Sequence, residues 1–170
     1  MKNIILTGPP RVGKTTVIRA VIAALEDNCG GFYTEEIKEQ KERVGFKLHT
    51  MQNKSCILSH MDLKGHFHVG KYGVDLECVE EIGALAIKKG IKTGKTIIID
   101  EIGKMETLSR RFRLAVLDAL DSKCPVVATM LFKRQPFCDK IRARKDVEII
   151  EVTEENRDKL SDIVLQKIRE

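Results

Sequence analysis

Gly8-Pro-Pro-Arg-Val-Gly-Lys-Thr15 is the stretch that decides how this chain folds. It matches the phosphate-binding template G-x-x-x-x-G-K-[ST] at every fixed position. The β-branched run 3–7 before it predicts a buried strand, and the apolar periodicity of residues 16–25 after it predicts a helix. A strand, a glycine-containing loop and a helix in this order form the context in which such a loop binds phosphate groups.

The residue types of the loop fit a polyphosphate ligand. Gly8 and Gly13 let the backbone turn sharply and approach phosphate oxygens, where a Cβ would obstruct. Backbone N–H groups and the positive end of the following helix attract the negative charge. Lys14 would place its ammonium group on the β- and γ-phosphates, and the Thr15 hydroxyl would bind Mg²⁺. The predicted nucleotide-binding residues are Gly8, Pro9, Pro10, Arg11, Val12, Gly13, Lys14, Thr15 and Thr16.

A carboxylate pair, Asp100-Glu101, directly follows the apolar run 97–99. In P-loop proteins a carboxylate at the end of such a strand holds Mg²⁺, so we assign Asp100 that role. A carboxylate beside the γ-phosphate can orient or deprotonate an attacking water, which makes Glu101 the candidate general base. Lys14 is the second predicted catalytic residue. The plainer alternative is that Asp100 only caps the next loop and that Glu101 is solvated.

The remaining segments predict an α/β fold with a mainly parallel sheet covered by helices on both faces. Apolar strands are expected at 3–7, 94–100, 125–129 and 147–152. Amphipathic helices are expected at 16–25, 76–89, 107–120 and 136–144, with a last helix capped by Thr153. Because ligands bind outside the carboxyl ends of such strands, we expect the phosphate loop, Asp100-Glu101 and Thr129 to meet at one edge of the sheet.

Residues 32–75 differ from the rest of the chain. Short strands at 32–34, 44–50, 56–58 and 66–69 are separated by charged or glycine-containing turns, which predicts antiparallel strands added to the main sheet. We therefore interpret 32–75 as a strand-rich insertion within a single domain that spans 1–170. Cys29-Gly-Gly31 is interpreted as the end of the first helix, because glycine commonly follows a helix C-terminus.

Composition narrows the class of protein. The chain has 170 residues, of which 42% are hydrophobic and 32% charged, which is typical of a folded domain. Apolar runs are too short to cross a bilayer and no secretion signal is present, so we expect a cytoplasmic protein without membrane contact. The formal net charge of +5 allows an anionic ligand but argues against a nucleic-acid partner, and we expect a monomer.

Cysteine usage also favours a cytoplasmic protein. The five cysteines are an odd and scattered set without a C-x-x-C pair, which is typical of reduced thiols rather than of disulfides or a zinc site. They are Cys29, Cys56, Cys78, Cys124 and Cys138. His66 and His68 have the spacing of metal ligands, but no third ligand follows nearby, so we do not predict zinc.

Several details of the site stay open from the sequence. Asp100-Glu-Ile-Gly103 also matches the D-x-x-G segment of switch GTPases, but no N-K-x-D motif follows, so strict guanine selectivity is not predicted. Thr129 is either a sensor of the γ-phosphate or an ordinary strand-end threonine. Hydrolysis also benefits from a cation near the leaving phosphate. The candidates are Arg11, Lys104, Arg110, Arg111, Lys133 and Arg134, which the sequence does not rank.

Further segments resemble one known family in matching order along nearly the whole chain. The family is that of the cancer-related nucleoside-triphosphatases, small P-loop proteins with hyperthermophile members. The likeness rests on 8–16, 31–36, 43–46, 69–74 and 99–106, and on 142–146, 152–153 and 156–157 near the C-terminus. The run Asp100-Glu-Ile-Gly-Lys-Met-Glu106 is far more specific than the phosphate loop alone.

The resemblance implies a Mg²⁺-dependent enzyme that releases phosphate from ATP, GTP and other nucleoside triphosphates with weak base preference. It also implies a RecA-like α/β fold with extra antiparallel strands. Lys14 and Thr15 carry over as phosphate and metal residues, and Asp100 and Glu101 as the metal-linked carboxylate and the base. One departure is Arg11, where the family usually has glycine. A side chain there reaches the phosphates, covers the site or points to solvent.

Two other functions compete with hydrolysis. A kinase would pass the γ-phosphate to a nucleotide or a small molecule with the same loop, but such enzymes usually need an arginine-rich lid that excludes water. Arg142, Arg144 and Lys145 are a thin candidate for that lid. A nucleic-acid-associated protein controlled by nucleotide binding is the other alternative, and the moderate charge argues against it.

Overall fold

The computed structural model describes residues 3–170 of the chain. In this range the strands are β1 (Asn3–Thr7), β2 (Cys29–Glu39), β3 (Glu42–Thr50), β4 (Ser55–His60), β5 (His68–Val69), β6 (Tyr72–Val74), β7 (Thr96–Ile102), β8 (Val126–Met130) and β9 (Val147–Glu151). The α-helices are α1 (Lys14–Leu25), α2 (Leu85–Lys92), α3 (Arg110–Asp121), α4 (Pro136–Arg142) and α5 (Arg157–Arg169).

All of these described strands belong to one sheet, in the order β5-β6-β4-β3-β2-β7-β8-β1-β9. The five strands from β2 to β9 pair in parallel, and β3 to β6 extend the sheet beyond β2 as antiparallel strands. The predicted α/β fold with a mainly parallel core and added antiparallel strands is confirmed. One strand, β8, separates β1 from β7. The strand before the phosphate loop and the strand that carries the carboxylate pair are therefore not direct neighbours.

Helices cover both faces of the parallel part. Ile97 and Ile99 of β7 pack in a cluster with residues of α2 and α3, such as Ile87 and Phe112. Ile98, which points the other way, packs in a second cluster with residues of α1 and α5. Strands that are buried on both faces must be apolar at every position, which explains the uninterrupted isoleucine run. Within the described part of the chain, no helix is long and apolar enough to cross a membrane.

The prediction that Cys29-Gly-Gly31 ends the first helix is wrong. The helix ends at Leu25, and residues 29–31 begin β2. The glycines serve a close approach instead, since a Cβ on Gly30 would lie 2.6 Å from the Cα of Gly90 in α2. Gly90 is accordingly inside α2, although the sequence predicted a helix that ends at residue 89.

The predicted helix 76–89 is also irregular at its start. Its first part, Cys78–Ala84, is a π-helix that continues into α2. Asp75 caps this segment, because its Oδ1 accepts a hydrogen bond of 3.2 Å from the Cys78 N–H. The prediction that every cysteine is reduced is wrong, because a disulfide joins Cys56 of β4 to Cys78. The two cysteines become neighbours only when the antiparallel strands pack on this helix, which spacing along the chain cannot reveal.

Candidate active site

The phosphate loop connects β1 to α1, and the side chain of its Lys14 folds back onto the loop backbone. Lys14 Nζ donates hydrogen bonds to the carbonyl oxygens of Gly8, at 2.7 Å, and Pro9, at 3.1 Å. Gly13 has a φ of 118°, a left-handed conformation that favours glycine and turns the backbone into the first turn of the helix. The ammonium group therefore spans the mouth of the loop, where it would meet the phosphates of a ligand.

Asp100 lies on β7 and is almost completely buried. Its Oδ1 accepts a 2.5 Å hydrogen bond from the Thr129 hydroxyl at the end of β8. Burial raises the pKa of Asp100, and hydrogen bonds from Thr129 and Thr15 lower it. The contact with Thr15 brings the carboxylate to the start of α1, as predicted. The Thr129 hydroxyl is directed at Asp100. This contact is neither the expected contact of a γ-phosphate sensor nor that of an ordinary strand-end threonine outside the site.

Glu101 follows on the same strand and is half-buried. Burial, followed by the neighbouring charge of Asp100, raises the pKa of Glu101 to about 6, while the Lys14 charge acts in the opposite direction. Burial lowers the pKa of Lys14, and the charges of Glu101 and Asp100 raise it. Asp100 and Glu101 lie near the end of β7 and their charges act on Lys14 of the phosphate loop, so the three groups lie within electrostatic reach of one another at the carboxyl edge of the sheet.

The donor set fits a small divalent cation. Asp100 Oδ2 is buried and has no hydrogen-bond partner among the described residues. Such an orphaned carboxylate oxygen is costly unless a cation or water satisfies it. The Thr15 hydroxyl, which acts on the same carboxylate, would supply a second oxygen ligand. Mg²⁺ commonly takes only one or two oxygen ligands from the protein, and water and phosphate oxygens complete its coordination.

Known proteins with similar sequences and structures are nucleoside-triphosphatases. A family model described as NTPase matches residues 3–165. The chain is 45% identical to nucleoside-triphosphatase THEP1 of Thermotoga sp. (strain RQ2), over 98% of this chain and 95% of that protein. It is 38% identical to nucleoside-triphosphatase THEP1 of Methanocaldococcus jannaschii, over 98% and 96% respectively. The chain belongs to the NTPase family.

Two solved structures extend this similarity to the fold. The crystal structure of THEP1 from the hyperthermophile Aquifex aeolicus matches with a TM-score of 0.91 and 34% identity over 99% of both chains. The solution structure of a human cancer-related nucleoside triphosphatase matches with a TM-score of 0.85 and 32% identity, over 99% of this chain and 98% of that one. The resemblance inferred from the sequence is confirmed, and the protein is a nucleoside-triphosphatase.

The structure of this nucleoside-triphosphatase separates the candidate cations. Arg111 of α3 pairs with two glutamates of the helical segment 78–84. Its Nη1 lies 2.6 Å from Glu81 Oε1 and 3.6 Å from Glu80 Oε2, so the side chain is engaged away from the phosphate loop. Lys133 and Arg134 follow β8, and Leu131 at the start of their loop donates its N–H to the carbonyl of Ile102. Because β8 lies between β1 and β7 in the sheet, this loop leaves the sheet between the phosphate loop and Glu101.

Glu106 is a buried carboxylate that the sequence assigned no role. A Cβ built on Gly103 would lie 2.6 Å from Glu101 Oε1 and 2.8 Å from Glu106 Oε2, so the two carboxylates border the same small space. Burial and then the Glu101 charge raise the pKa of Glu106 well above its ordinary value. The available signal was its place in the run Asp100–Glu106, which the family likeness singled out.

Replacing Glu106 by glutamine should change how stability depends on pH. Below pH 4.5, the ordinary pKa of the side chain, Glu106 is protonated in both the folded and the unfolded protein. Above it, only the unfolded chain releases this proton readily, so the wild type loses free energy of unfolding as the pH rises. Glu106→Gln removes this loss. Urea unfolding should show the variant gaining stability relative to wild type between pH 5 and pH 8, and a constant difference would contradict the raised pKa.

Arg157, the first residue of α5, braces the phosphate loop from outside. Its Nη1 donates a 3.2 Å hydrogen bond to the Val12 carbonyl, and its Cδ would lie 3.2 Å from a Cβ built on Gly13. The nearest carboxylate to its guanidinium, that of Asp158, is 4.0 Å away. The Arg157 side chain therefore holds the phosphate loop by the backbone of the loop. The sequence likeness included this residue without giving it a function.

Arg157→Gln should weaken binding of every ligand that the phosphate loop holds. Loss of one hydrogen bond from a charged donor predicts dissociation constants for ADP and for pyrophosphate that rise together by about 5- to 10-fold. The melting temperature should change little, because the side chain is 42% exposed. Titration calorimetry measures both constants, with Arg169→Gln at the far end of α5 as the matched control. Unchanged binding of both ligands would show that the brace has no part in phosphate binding.

Proposed function

We propose that this enzyme hydrolyses nucleoside 5'-triphosphates, including ATP and GTP, to the diphosphate and phosphate in a Mg²⁺-dependent reaction with weak base preference. The observation that carries the proposal is the convergence of Lys14, Thr15, Asp100 and Glu101 at one edge of the sheet. The names of its relatives support the reaction class, and the finer roles rest on this geometry.

Binding of the triphosphate begins at the loop. Lys14 would release the carbonyls of Gly8 and Pro9 and donate to the β- and γ-phosphate oxygens, which carry more negative charge. The N–H groups at the start of α1 contribute further donors to the phosphates. Gly8 to Thr16 are the residues proposed to bind the nucleotide, with Lys14 acting on its phosphates. A cation already beside the phosphates stabilises the charge that develops on them during hydrolysis.

Thr15 and Asp100 are the residues proposed to hold Mg²⁺, Asp100 through its unpartnered Oδ2. When bound, the ion neutralises charge on the β- and γ-phosphate oxygens. Thr129 keeps the other oxygen, Oδ1, occupied and so fixes the orientation of the carboxylate. Replacing Asp100 would therefore disturb both the ion and the hydroxyl of β8.

Glu101 is the proposed general base. Its raised pKa of about 6 lies near neutral pH, so the ionised carboxylate is basic enough to accept a proton from water. The water oxygen forms a bond to the γ-phosphorus while the bond from phosphorus to the bridging oxygen breaks. The proton passes to Glu101, and the diphosphate leaves with the electrons of the broken bond. Phosphate and nucleoside diphosphate are the products.

A phosphate-release assay tests this function directly. Purified protein with Mg²⁺ should release phosphate from ATP, GTP, CTP and UTP at rates that differ little among bases, and chelation of the metal should stop the reaction. Added nucleosides, nucleoside monophosphates or RNA should leave the rates unchanged. Turnover that requires an acceptor would instead identify a kinase, and strong stimulation by RNA would identify a nucleic-acid-associated enzyme. We also propose a cytoplasmic monomer that consists of a single domain.

A further inference from the structure

A cleft borders the outer side of the phosphate loop, away from the carboxylate pair. It measures about 380 Å³, which lies within the range of about 300–1,000 Å³ that is typical of small-molecule sites. One wall is Pro9 to Val12 of the loop, and the other is Glu151 to Glu154, at the end of β9 and just after it. The cleft therefore continues outward from the place where the phosphates bind.

The walls of this cleft are fixed before any ligand arrives. The Val152 N–H donates a 2.7 Å hydrogen bond to the carbonyl of Thr7, just before the loop. A Cβ built on Gly8 would lie 2.9 Å from the Val152 carbonyl oxygen, so the two segments are in close contact. Pro9 and Pro10 have fixed φ angles and present apolar rings on the loop side. Apolar walls with polar groups at the edge suit a flat heterocycle.

The strand order decides which end of a nucleotide lies here. Asp100 and Glu101 belong to β7, and the cleft borders β9, with β8 and β1 between them. The γ-phosphate must lie toward the carboxylates, because the water and the metal act on it. The α-phosphate, the ribose and the base then extend toward β9. A cation in this cleft is on the opposite side of the loop from the reacting phosphorus.

Arg11 is that cation. It is exposed, it lines the cleft, and it forms no hydrogen bond or ion pair with any residue in 3–170. Its φ of 65° is left-handed, a conformation that L residues seldom adopt and that glycine adopts freely. Glu151 and Glu154 on the facing wall supply carboxylates that can accept the N–H groups of a base.

We propose that the cleft between Pro9–Val12 and Glu151–Glu154 binds the nucleobase of the substrate and that the Arg11 guanidinium covers the base by stacking on its face. A planar guanidinium stacks on any aromatic heterocycle, so the contact adds affinity without selecting one base. This inference rests on the proposed function and deepens it. It assigns Arg11 to the base end of the site rather than to the phosphates or to bulk solvent.

The test compares a ligand that has a base with one that has none. Titration calorimetry with Mg²⁺ would measure the binding of ADP and of pyrophosphate to wild type, Arg11→Gly and Arg11→Lys. Glycine accepts a φ of 65° freely, so Arg11→Gly should fold normally, which thermal unfolding verifies. We expect Arg11→Gly to raise the dissociation constant for ADP by about 5- to 10-fold and to change that for pyrophosphate less than about twofold.

Arg11→Lys keeps the charge without the planar group and should recover less than half of the lost affinity for ADP. Equal weakening of ADP and pyrophosphate in Arg11→Gly would overturn the proposal, because Arg11 would then act on the phosphates. Unchanged binding of both would also overturn it, since the side chain would then point to solvent. Full recovery by Arg11→Lys would exclude stacking. A wild type that binds neither ligand would refute the proposed function itself.

Discussion

Lys14→Ala is expected to reduce phosphate release from ATP by about 10³-fold or more in kcat/KM. Lys14 is a charged donor within the loop, and its two present acceptors are carbonyl groups of the loop itself, at Gly8 and Pro9. Alanine removes the positive charge that would face the β- and γ-phosphates both in the bound state and in the transition state. The binding of ADP should weaken at the same time.

Steady-state phosphate release and calorimetry of ADP binding measure these two effects. Lys88→Ala is the matched control, because Lys88 is an exposed lysine of α2, which packs against the opposite face of the sheet from α1. The control should retain wild-type rates. Normal turnover in Lys14→Ala would mean that Gly8 to Thr15 is a structural turn and that the phosphates bind elsewhere.

Glu101→Gln is expected to keep nucleotide binding and to lower kcat by about 10²-fold or more. Glutamine has the shape of glutamate but cannot accept a proton from water. It also removes a negative charge beside the phosphates, so the affinity for ATP should stay the same or increase. A fall in kcat together with an unchanged or lower KM would therefore distinguish loss of the base from loss of the binding site.

Single-turnover hydrolysis of prebound ATP measures the chemical step without product release. Glu77→Gln, an exposed glutamate at the start of the helical segment that precedes α2, is the matched control and should leave this rate unchanged. If Glu101→Gln hydrolyses ATP at the wild-type rate, the proton is accepted by another group or by the substrate itself. Glu106, which borders the same space, would then be the next residue to replace.

The parts of the site that the sequence predicts are contiguous patterns. Gly8 to Thr15 has the spacing that phosphate binding would require, and Asp100-Glu101 ends an apolar strand whose burial on both faces requires that run. Their meeting at one edge follows from the parallel sheet, in which the carboxyl ends of all strands lie on the same side. These inferences need only local spacing and the fold class.

The parts that the sequence does not predict depend on contacts between distant segments. Gly30 is glycine because α2 approaches β2 at Gly90, although a glycine after a helix is more often a cap. Cys56 and Cys78 are bonded because β4 packs beside the helical segment 78–84. Arg157 touches the phosphate loop because α5 packs on α1, a contact that no short motif encodes.

A crystal structure of Glu101→Gln with ATP and Mg²⁺ tests the central claim most directly. We predict that the γ-phosphate contacts Lys14 Nζ, that the metal lies at the Thr15 hydroxyl beside Asp100, and that a water in line with the γ-phosphorus lies within about 3 Å of the residue 101 side chain. The base should occupy the cleft beside Arg11. A γ-phosphate that points toward β9, with no water between it and residue 101, would contradict the account.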